Sequence, residues 1–277
     1  MENEVNLEFP LKGKYVAMLA PSFVVDFQYP SIISQLKKLG FDKVVELTFG
    51  AKMINREYHK ILKNSKEFKI ASPCPGIVDT IKKKFPQYVK NLVKVDSPMI
   101  AMGKIVRKTY PTRKIVFISP CHFKKIEAQN SKYVDYVVDY IQLKELFNKF
   151  KIGKIRGKAH FDKFYNDYTK IYPLSGGLAK TAHVRDILKS EDVLTIDGIA
   201  EVMNFLNNPQ KDIKFLDCLF CVGGCIGGPC VTSKSPIKKR RRKVLNYLKK
   251  SKKEDIPETK KGLVKKAEGI NFRVKSF

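Results

Sequence analysis

Residues 15–48 decide the fold class, because two short apolar runs, YVAMLA at 15–20 and KVVELT at 43–48, flank a segment with helical spacing at 31–39. The same alternation continues along the chain. Further strands are predicted at 68–72 (FKIAS), 114–118 (KIVFI) and 133–140, and further helices at 51–62, 77–85 and 141–150. Short apolar strands that alternate with helices are typical of βαβ units. The sequence therefore predicts an α/β fold, with parallel β-sheets flanked by helices.

The composition indicates a globular protein. The chain has 277 residues, of which 43% are hydrophobic and only 30 are Gly or Pro, which excludes disordered, collagenous and coiled-coil classes. We predict a core domain over residues 1–235 and a basic helical extension over residues 236–277. Because no apolar run approaches 18 residues and the first residues do not resemble a signal peptide, we expect a cytoplasmic protein without a membrane span.

Charge is distributed unevenly along the chain. The formal net charge is +27, and residues 232–277 carry 17 basic and 4 acidic side chains. Such a segment attracts anionic partners, so one hypothesis is nucleic-acid binding through Lys238-Lys239-Arg240-Arg241-Arg242-Lys243. Only 9 of the 54 basic residues are Arg, however, so a simple compositional bias towards Lys is an equal alternative.

The six cysteines suggest a metal centre. Cys74 and Cys121 each follow a predicted strand, and Cys221 and Cys225 lie in a Cys- and Gly-rich segment from 218 to 230. Ligands of open α/β sheets bind at the carboxyl ends of strands, so these thiols can face one crevice. The spacing favours an iron–sulfur centre over zinc, and over thiols without a metal, but leaves all three open. Cys218 and Cys230 receive no role, and buried packing suits them best.

Three motifs carry a resemblance to a known family. They occur in the order ASPCPG at 71–76, SPCHFKKIEA at 119–128 and CVGGCIGG at 221–228. Together they resemble the signature segments of the large-subunit catalytic domain of [FeFe], or iron-only, hydrogenases. Weaker matches flank them, among them Ser97-Pro98 and Ser175-Gly176-Gly177, so the resemblance covers about residues 14–235.

The resemblance implies two α/β lobes that face each other across a metal cluster. Four thiolates would hold a [4Fe–4S] cube, and a two-iron subcluster with carbon monoxide and cyanide ligands would complete the H-cluster. Cys225 would bridge to the two-iron subcluster and Lys124 would bind a cyanide, which makes both catalytic residues. The implied metal ligands are Cys74, Cys121, Cys221 and Cys225, and the implied cofactor contacts are Pro73, Ser119, Pro120, Lys124 and Gly224.

This chain departs from the family pattern at the proton relay. Pro73 replaces the relay cysteine and has neither a thiol nor an N–H. Further relay positions align with Tyr58, Ile61 and Val93, and Ser119 replaces a methionine. Sensory members of the family show similar losses, so the chain is interpreted as a minimal or sensory-type member with slow turnover. Candidates for another proton route are Glu57, His59, His122 and Glu127.

Three functions follow as hypotheses. The first is slow, reversible interconversion of H2 with protons and electrons, which would make the chain an oxidoreductase. The second is a non-catalytic H2 or redox sensor, or a bare [4Fe–4S] protein, on the same scaffold. The third and weakest is nucleic-acid binding. Because no ferredoxin-like cysteine run precedes the domain in this sequence, we expect an acidic electron carrier such as ferredoxin as a partner, maturation enzymes for the two-iron site, and an anaerobic setting.

Overall fold

The computed structural model describes residues 7–277, and its first sheet has four parallel strands. Across the sheet the strands lie in the order β2, β1, β4 and β5, so β2 and β5 form its two edges. The pairing places Ala17 opposite both Val44 and Val116. The strands of this sheet are β1 (Tyr15–Leu19), β2 (Lys43–Glu46), β4 (Lys114–Ser119) and β5 (Tyr136–Asp139).

A second parallel sheet has three strands, with β7 in the centre. Leu216 pairs with Ile70 on one side and with Leu194 on the other. The strands are β3 (Lys69–Ile70), β6 (Val193–Asp197) and β7 (Phe215–Leu219). The chain thus has two parallel sheets, one for each lobe, and the predicted α/β class is confirmed.

Helices connect and cover the strands. Ser97 caps α4 as its position before Pro98 predicts, since its Oγ accepts a hydrogen bond from Ile100 N. The sequence did not predict α5, the helix that follows Cys121. It predicted the start of α2 at residue 51, three residues after the observed start at Thr48. The helices are α1 (Ser31–Lys38), α2 (Thr48–Asn64), α3 (Pro75–Lys84), α4 (Pro98–Thr109), α5 (Phe123–Gln129), α6 (Tyr140–Lys149), α7 (Gly177–Thr181), α8 (Ile199–Asn207) and α9 (Ile237–Ser251).

Both faces of the four-stranded sheet are buried, which explains the uninterrupted apolar character of β1. Val16 and Met18 pack with side chains of α2 and α4, whereas Ala17 and Leu19 pack with side chains of α1 and α6 on the opposite face. The three-stranded sheet has its own apolar cluster, to which α3 and α8 contribute. No helix within residues 7–277 is both long and apolar enough to cross a lipid bilayer.

The C-terminal residues pack against the rest of the chain. Val244 of α9 is buried among Val25, Ile171 and Ile226. Downstream of α9, Phe272 is buried, and its carbonyl accepts a hydrogen bond of 2.8 Å from Asp96 N. Residues 237–251 are helical, whereas residues 252–277 form short 3-10 turns and isolated β-bridges at Lys261 and Arg273.

Candidate metal centre

Cysteines from both sheets lie just beyond strand ends. Cys121 follows β4 of the four-stranded sheet, whereas Cys74 follows β3 and Cys221 and Cys225 follow β7 of the three-stranded sheet. Because the strands are parallel within each sheet, each set of thiols emerges at a carboxyl edge. The structure therefore brings the three sequence motifs to one region between the lobes.

An interior cavity of about 80 Å³ lies at this junction. Three of the four cysteines, Cys74, Cys121 and Cys225, line it, together with Lys124. Most of the remaining wall is apolar, and it includes Leu47, Ala51, Pro73, Pro98, Met99, Phe117, Pro120, Pro173 and Leu219. Such a wall lowers the local dielectric constant, so a charged or polar group bound there would interact strongly with the few polar side chains.

The four thiols influence one another's protonation. Burial raises the pKa of Cys225, and negative charge on Cys74, Cys121 and Cys221 raises it further, while Lys124 opposes the shift. Burial together with Cys121 and Cys74 likewise raises the pKa of Cys221 to about 12. Free thiolates are therefore disfavoured here, and a cationic centre is needed to hold them deprotonated. Four converging thiols in an apolar setting fit an iron–sulfur cluster.

Glycine allows the third motif to approach its neighbours closely. Gly224 has φ +78°, and a Cβ at this position would lie 2.5 Å from the carbonyl oxygen of Pro173. The next residue, Cys225, donates its N–H to the same oxygen at 2.8 Å. Gly224 thus acts through the backbone, since it lets Cys225 dock against the segment that ends at Pro173.

The second motif is held by a local turn. Ser119 Oγ accepts a hydrogen bond from Cys121 N at 3.1 Å and donates one to Cys121 O at 3.0 Å, so this serine orients the Cys121 backbone. Lys124 lies in the first turn of α5, where its Nζ contacts Glu127 Oε2 at 2.6 Å and Pro73 O at 3.4 Å. Lys124 therefore links the second motif to the first at the cavity wall.

Sequence reasoning missed one polar group in the cavity, Tyr172. Its hydroxyl is buried and has no hydrogen-bond partner within residues 7–277, and its side chain lines the cavity. Burial and the neighbouring charges of Tyr58, Asp217 and Cys225 raise its pKa, so the phenol stays protonated and can donate a hydrogen bond. The sequence feature that could have identified Tyr172 is its position just before Pro173 and the Ser175-Gly176-Gly177 match to the family.

The alternative proton donors are widely separated. Glu127 contacts Lys124 and also lines an open surface groove on the other side of α5. Glu57 pairs with Arg273, and His59 lies 3.1 Å from Ala182 O, both away from the cavity lining. His122 lies beside Cys230.

The positions that align with the family's usual proton relay are also without a free acid. Tyr58 is buried and hydrogen-bonded to Ser72, and Val93 is buried.

The two unassigned cysteines take different places. Cys218 is fully buried in the apolar cluster of the three-stranded sheet, as its packing interpretation predicts. Cys230 is also fully buried, but its Sγ lies 3.4 Å from His122 Nδ1 and 3.5 Å from Nε2.

Two parallel-sheet lobes, with a cavity between them that three of the four thiols line, define an α/β protein with a candidate thiolate site, and comparisons with known proteins agree with this fold. Residues 13–229 match the family described as iron only hydrogenase large subunit, C-terminal domain. The chain therefore belongs to this family. It is similar to iron hydrogenase 1 of Clostridium pasteurianum, with 25% identity over 77% of this chain and 48% of that protein. It thus spans about half the length of this curated relative.

Solved structures share the fold at low sequence identity. A structure of HydA(deltaEFG), which concerns stepwise [FeFe]-hydrogenase H-cluster assembly, has a TM-score of 0.66 at 15% identity and covers 96% of this chain and 88% of its own. A variant of [FeFe]-hydrogenase HydA1 from Chlamydomonas reinhardtii has a TM-score of 0.64 at 15% identity, with coverage of 95% and 88%. These likenesses confirm the two-lobed architecture.

Proposed function

We propose that this chain binds an H-cluster and interconverts H2 with protons and electrons at a low rate. The supporting observation is the cavity itself. Besides Cys74, Cys121 and Cys225 it is lined by Lys124 and Tyr172, two residues with polar donors beyond the thiols that a cube alone requires. Family membership and the hydrogenase names of the relatives support the same proposal.

The thiolates of Cys74, Cys121, Cys221 and Cys225 would hold a [4Fe–4S] cube, and the cavity that Cys225 lines would hold a two-iron subcluster with carbon monoxide and cyanide ligands. When bound, this group supplies electron storage and an open iron position for H2. Lys124 Nζ donates a charge-assisted hydrogen bond to an anionic ligand in the dry cavity. The Tyr172 hydroxyl donates a second hydrogen bond, and the apolar wall excludes water.

Proton transfer in this proposal runs through Lys124 and Glu127. Pro73 provides no titratable group at the usual relay position, and its carbonyl only accepts a contact from Lys124 Nζ. Glu127 Oε2 lies 2.6 Å from the same ammonium, and Glu127 also lines the open groove. The pair therefore spans the distance between cavity and solvent. A proton held at Lys124 Nζ can exchange with the Glu127 carboxylate, but the substitutions at Pro73, Tyr58, Ile61 and Val93 in the usual relay make turnover slow.

Hydrogen turnover tests this function. The protein should be produced anaerobically with and without the hydrogenase maturation enzymes, and H2 evolution measured with a reduced dye. We expect about six irons per chain and slow H2 evolution only after maturation. Cys225→Ala should abolish turnover, whereas Cys218→Ala, which changes a buried cysteine of the apolar cluster, should retain it. Four irons per chain and no H2 from matured protein would contradict catalysis.

A second candidate is a sensor or a bare [4Fe–4S] protein on the same scaffold. The observation in its favour is the loss of titratable groups along the usual proton relay. Pro73 has no thiol, and the Tyr58 hydroxyl is hydrogen-bonded to the Ser72 hydroxyl. A matured protein that binds H2 reversibly but does not turn over would support a sensor.

The proposed electron donor is an acidic carrier that docks beside Cys221. Val222 is 66% exposed, and the neighbouring Gly223 packs against Ile237 at the start of α9. Ile237 begins α9, and exposed basic residues follow it in the first two turns of this helix: Lys238, Lys239, Arg241, Arg242 and Lys243. Their positive charge attracts an anionic protein to this edge. We also propose a cytoplasmic location, in keeping with such a carrier.

A further inference from the structure

A second group of metal-binding side chains lies outside the four thiols described above. It consists of His122, Asp139 and Cys230, whose ligand atoms all lie within 4.8 Å of one another. They come from three places in the fold: the turn after β4, the last residue of β5 and the segment after the third motif. Asp139 and Cys230 are buried and His122 is exposed, so the group opens to solvent on one side.

The geometry suits a tetrahedral ion. For metal bonds of about 2.3 Å to sulfur and about 2.0 Å to nitrogen, a tetrahedral centre places these two ligand atoms roughly 3.5 Å apart. Cys230 Sγ lies 3.4 Å from His122 Nδ1 and 3.5 Å from Nε2, so either nitrogen is at the separation that a shared ion requires, and a rotation of the exposed ring directs its lone pair to that ion. A backbone hydrogen bond of 3.1 Å from Cys230 N to Pro120 O keeps the two segments in this position.

The charges also suit a divalent cation. Asp139 Oδ1 caps α6 by accepting a hydrogen bond from Gln142 N, and Oδ2 pairs with Lys125 Nζ at 2.7 Å. The Lys125 side chain is 35% exposed, so it can turn to solvent when a cation takes its place. One thiolate, one carboxylate and one neutral imidazole balance a charge of +2. A donor set of sulfur, nitrogen and oxygen favours zinc over magnesium or calcium.

We infer that His122, Asp139 and Cys230 form a second metal site, which binds one Zn²⁺ with a water molecule as the fourth ligand. The ion would join the turn that carries Cys121 to the segment that carries Cys225. It would thus fasten two of the cluster-binding segments to the end of β5. The site does not depend on the proposed hydrogenase activity, because none of its three ligands belongs to the four thiols of the cluster.

Zinc content and X-ray absorption at the zinc edge test this site. Protein loaded with its iron–sulfur cluster is incubated with one equivalent of Zn²⁺, desalted and analysed. We expect about one zinc per chain, with one sulfur and otherwise nitrogen or oxygen neighbours. His122→Ala, at an exposed position, and Cys230→Ser should each lower zinc retention at least tenfold, whereas Cys218→Ala should retain it.

Three results would overturn the inference. They are no retained zinc in the unaltered protein, a zinc shell of four sulfurs, and unchanged retention in His122→Ala. A four-sulfur shell would place the zinc on the cluster thiols and would argue against the proposed cluster instead. Loss of H2 turnover with zinc still bound at one sulfur would count against the proposed function alone.

Discussion

At the scale of single residues, the contact between Lys124 and Glu127 carries the proposed proton route. Glu127→Gln keeps the size of the side chain but removes the carboxylate that lies 2.6 Å from Lys124 Nζ. Loss of a general acid or base typically costs about 10²- to 10⁴-fold in rate. We expect H2 turnover to fall at least tenfold while iron content stays unchanged. Glu57→Gln, which alters a surface pair with Arg273, is the matched control; equal rates for both variants would exclude this route.

Asp217 provides a prediction about pH and stability. This carboxyl is 2% exposed, and burial raises its pKa from 3.8 to about 6, although Ala179 N donates a hydrogen bond to it. The folded state therefore holds the proton more tightly than the unfolded state. Stability due to Asp217 is complete below about pH 4 and is lost as the pH rises through about 6, by roughly 3 kcal/mol.

The test compares the unaltered protein with Asp217→Asn by denaturant unfolding between pH 4 and 7. The amide does not titrate, so the variant should gain stability relative to the unaltered protein by roughly 3 kcal/mol across this range. Parallel stability profiles would show that Asp217 has an ordinary pKa in the folded protein.

Residue identities predicted part of the site and left part of it unseen. The four cysteines were found because each follows an apolar strand or lies in a Gly-rich run, both of which are local signals. Tyr172 was not found, because its position just before Pro173 and the Ser175-Gly176-Gly177 match was its only signal and does not show that its hydroxyl is buried without a partner. The triad of His122, Asp139 and Cys230 was missed for a similar reason, since its members are distant in sequence.

At the scale of secondary-structure elements, a buried ion pair joins the core to α9. Lys170 Nζ lies 2.6 Å from Glu46 Oε2 at the end of β2, and both side chains are fully buried. Tyr247 of α9 donates its hydroxyl to Glu46 Oε1 at 2.8 Å. Burial lowers the pKa of Lys170, and the Glu46 carboxylate counteracts this shift. Because Tyr247 of α9 binds the same carboxylate as Lys170, these contacts hold α9 against the core.

Lys170→Met tests this connection. The variant leaves the Glu46 carboxylate buried without its cation, which typically costs about 3–5 kcal/mol. The double variant Lys170→Met with Glu46→Gln removes the charge as well and should recover much of the loss in the free energy of unfolding. Lys37→Met removes the more exposed pair with Asp162 and should cost less than about 1 kcal/mol. A similarly small loss for Lys170→Met would refute the structural role of the pair.

Strands were more predictable than helix boundaries. Burial on both faces made β1 and β4 continuous apolar runs, which are easily recognised. In contrast, α2 begins at Thr48, whose hydroxyl donates a hydrogen bond to the Glu46 carboxylate, and α5 has Ala128 as its one buried residue. A helix with so small a buried face has almost no apolar periodicity for sequence analysis to detect.

At the scale of the whole molecule, local charge rather than net charge should govern docking of the electron carrier. Replacing Lys238, Lys239, Arg241 and Arg242 with Gln removes four exposed charges beside the third motif. Arg240 is left intact, because its guanidinium donates to Ile226 O at 2.9 Å and to two further carbonyls, and so holds the third motif against α9.

At low salt, we expect an acidic ferredoxin to transfer electrons to the variant with these four substitutions about tenfold more slowly than to the unaltered protein. At high salt, we expect the two electron-transfer rates to be the same. The control replaces Lys38, Lys63, Lys66 and Lys82, which are exposed elsewhere, and so lowers the net charge equally. Equal rates for the two variants would contradict docking at α9. Salt-dependent retention on DNA that only the α9 substitutions abolish would favour the nucleic-acid hypothesis.

The central claim is that the cavity holds a two-iron subcluster beside the thiolate-bound cube, and infrared spectroscopy tests it most directly. Protein produced with the maturation enzymes should show absorption bands of metal-bound carbon monoxide and cyanide, and protein produced without them should show none. Lys124→Ala should weaken or shift the cyanide bands. Iron and sulfide in matured protein without any such bands would contradict the claim and leave a bare [4Fe–4S] protein.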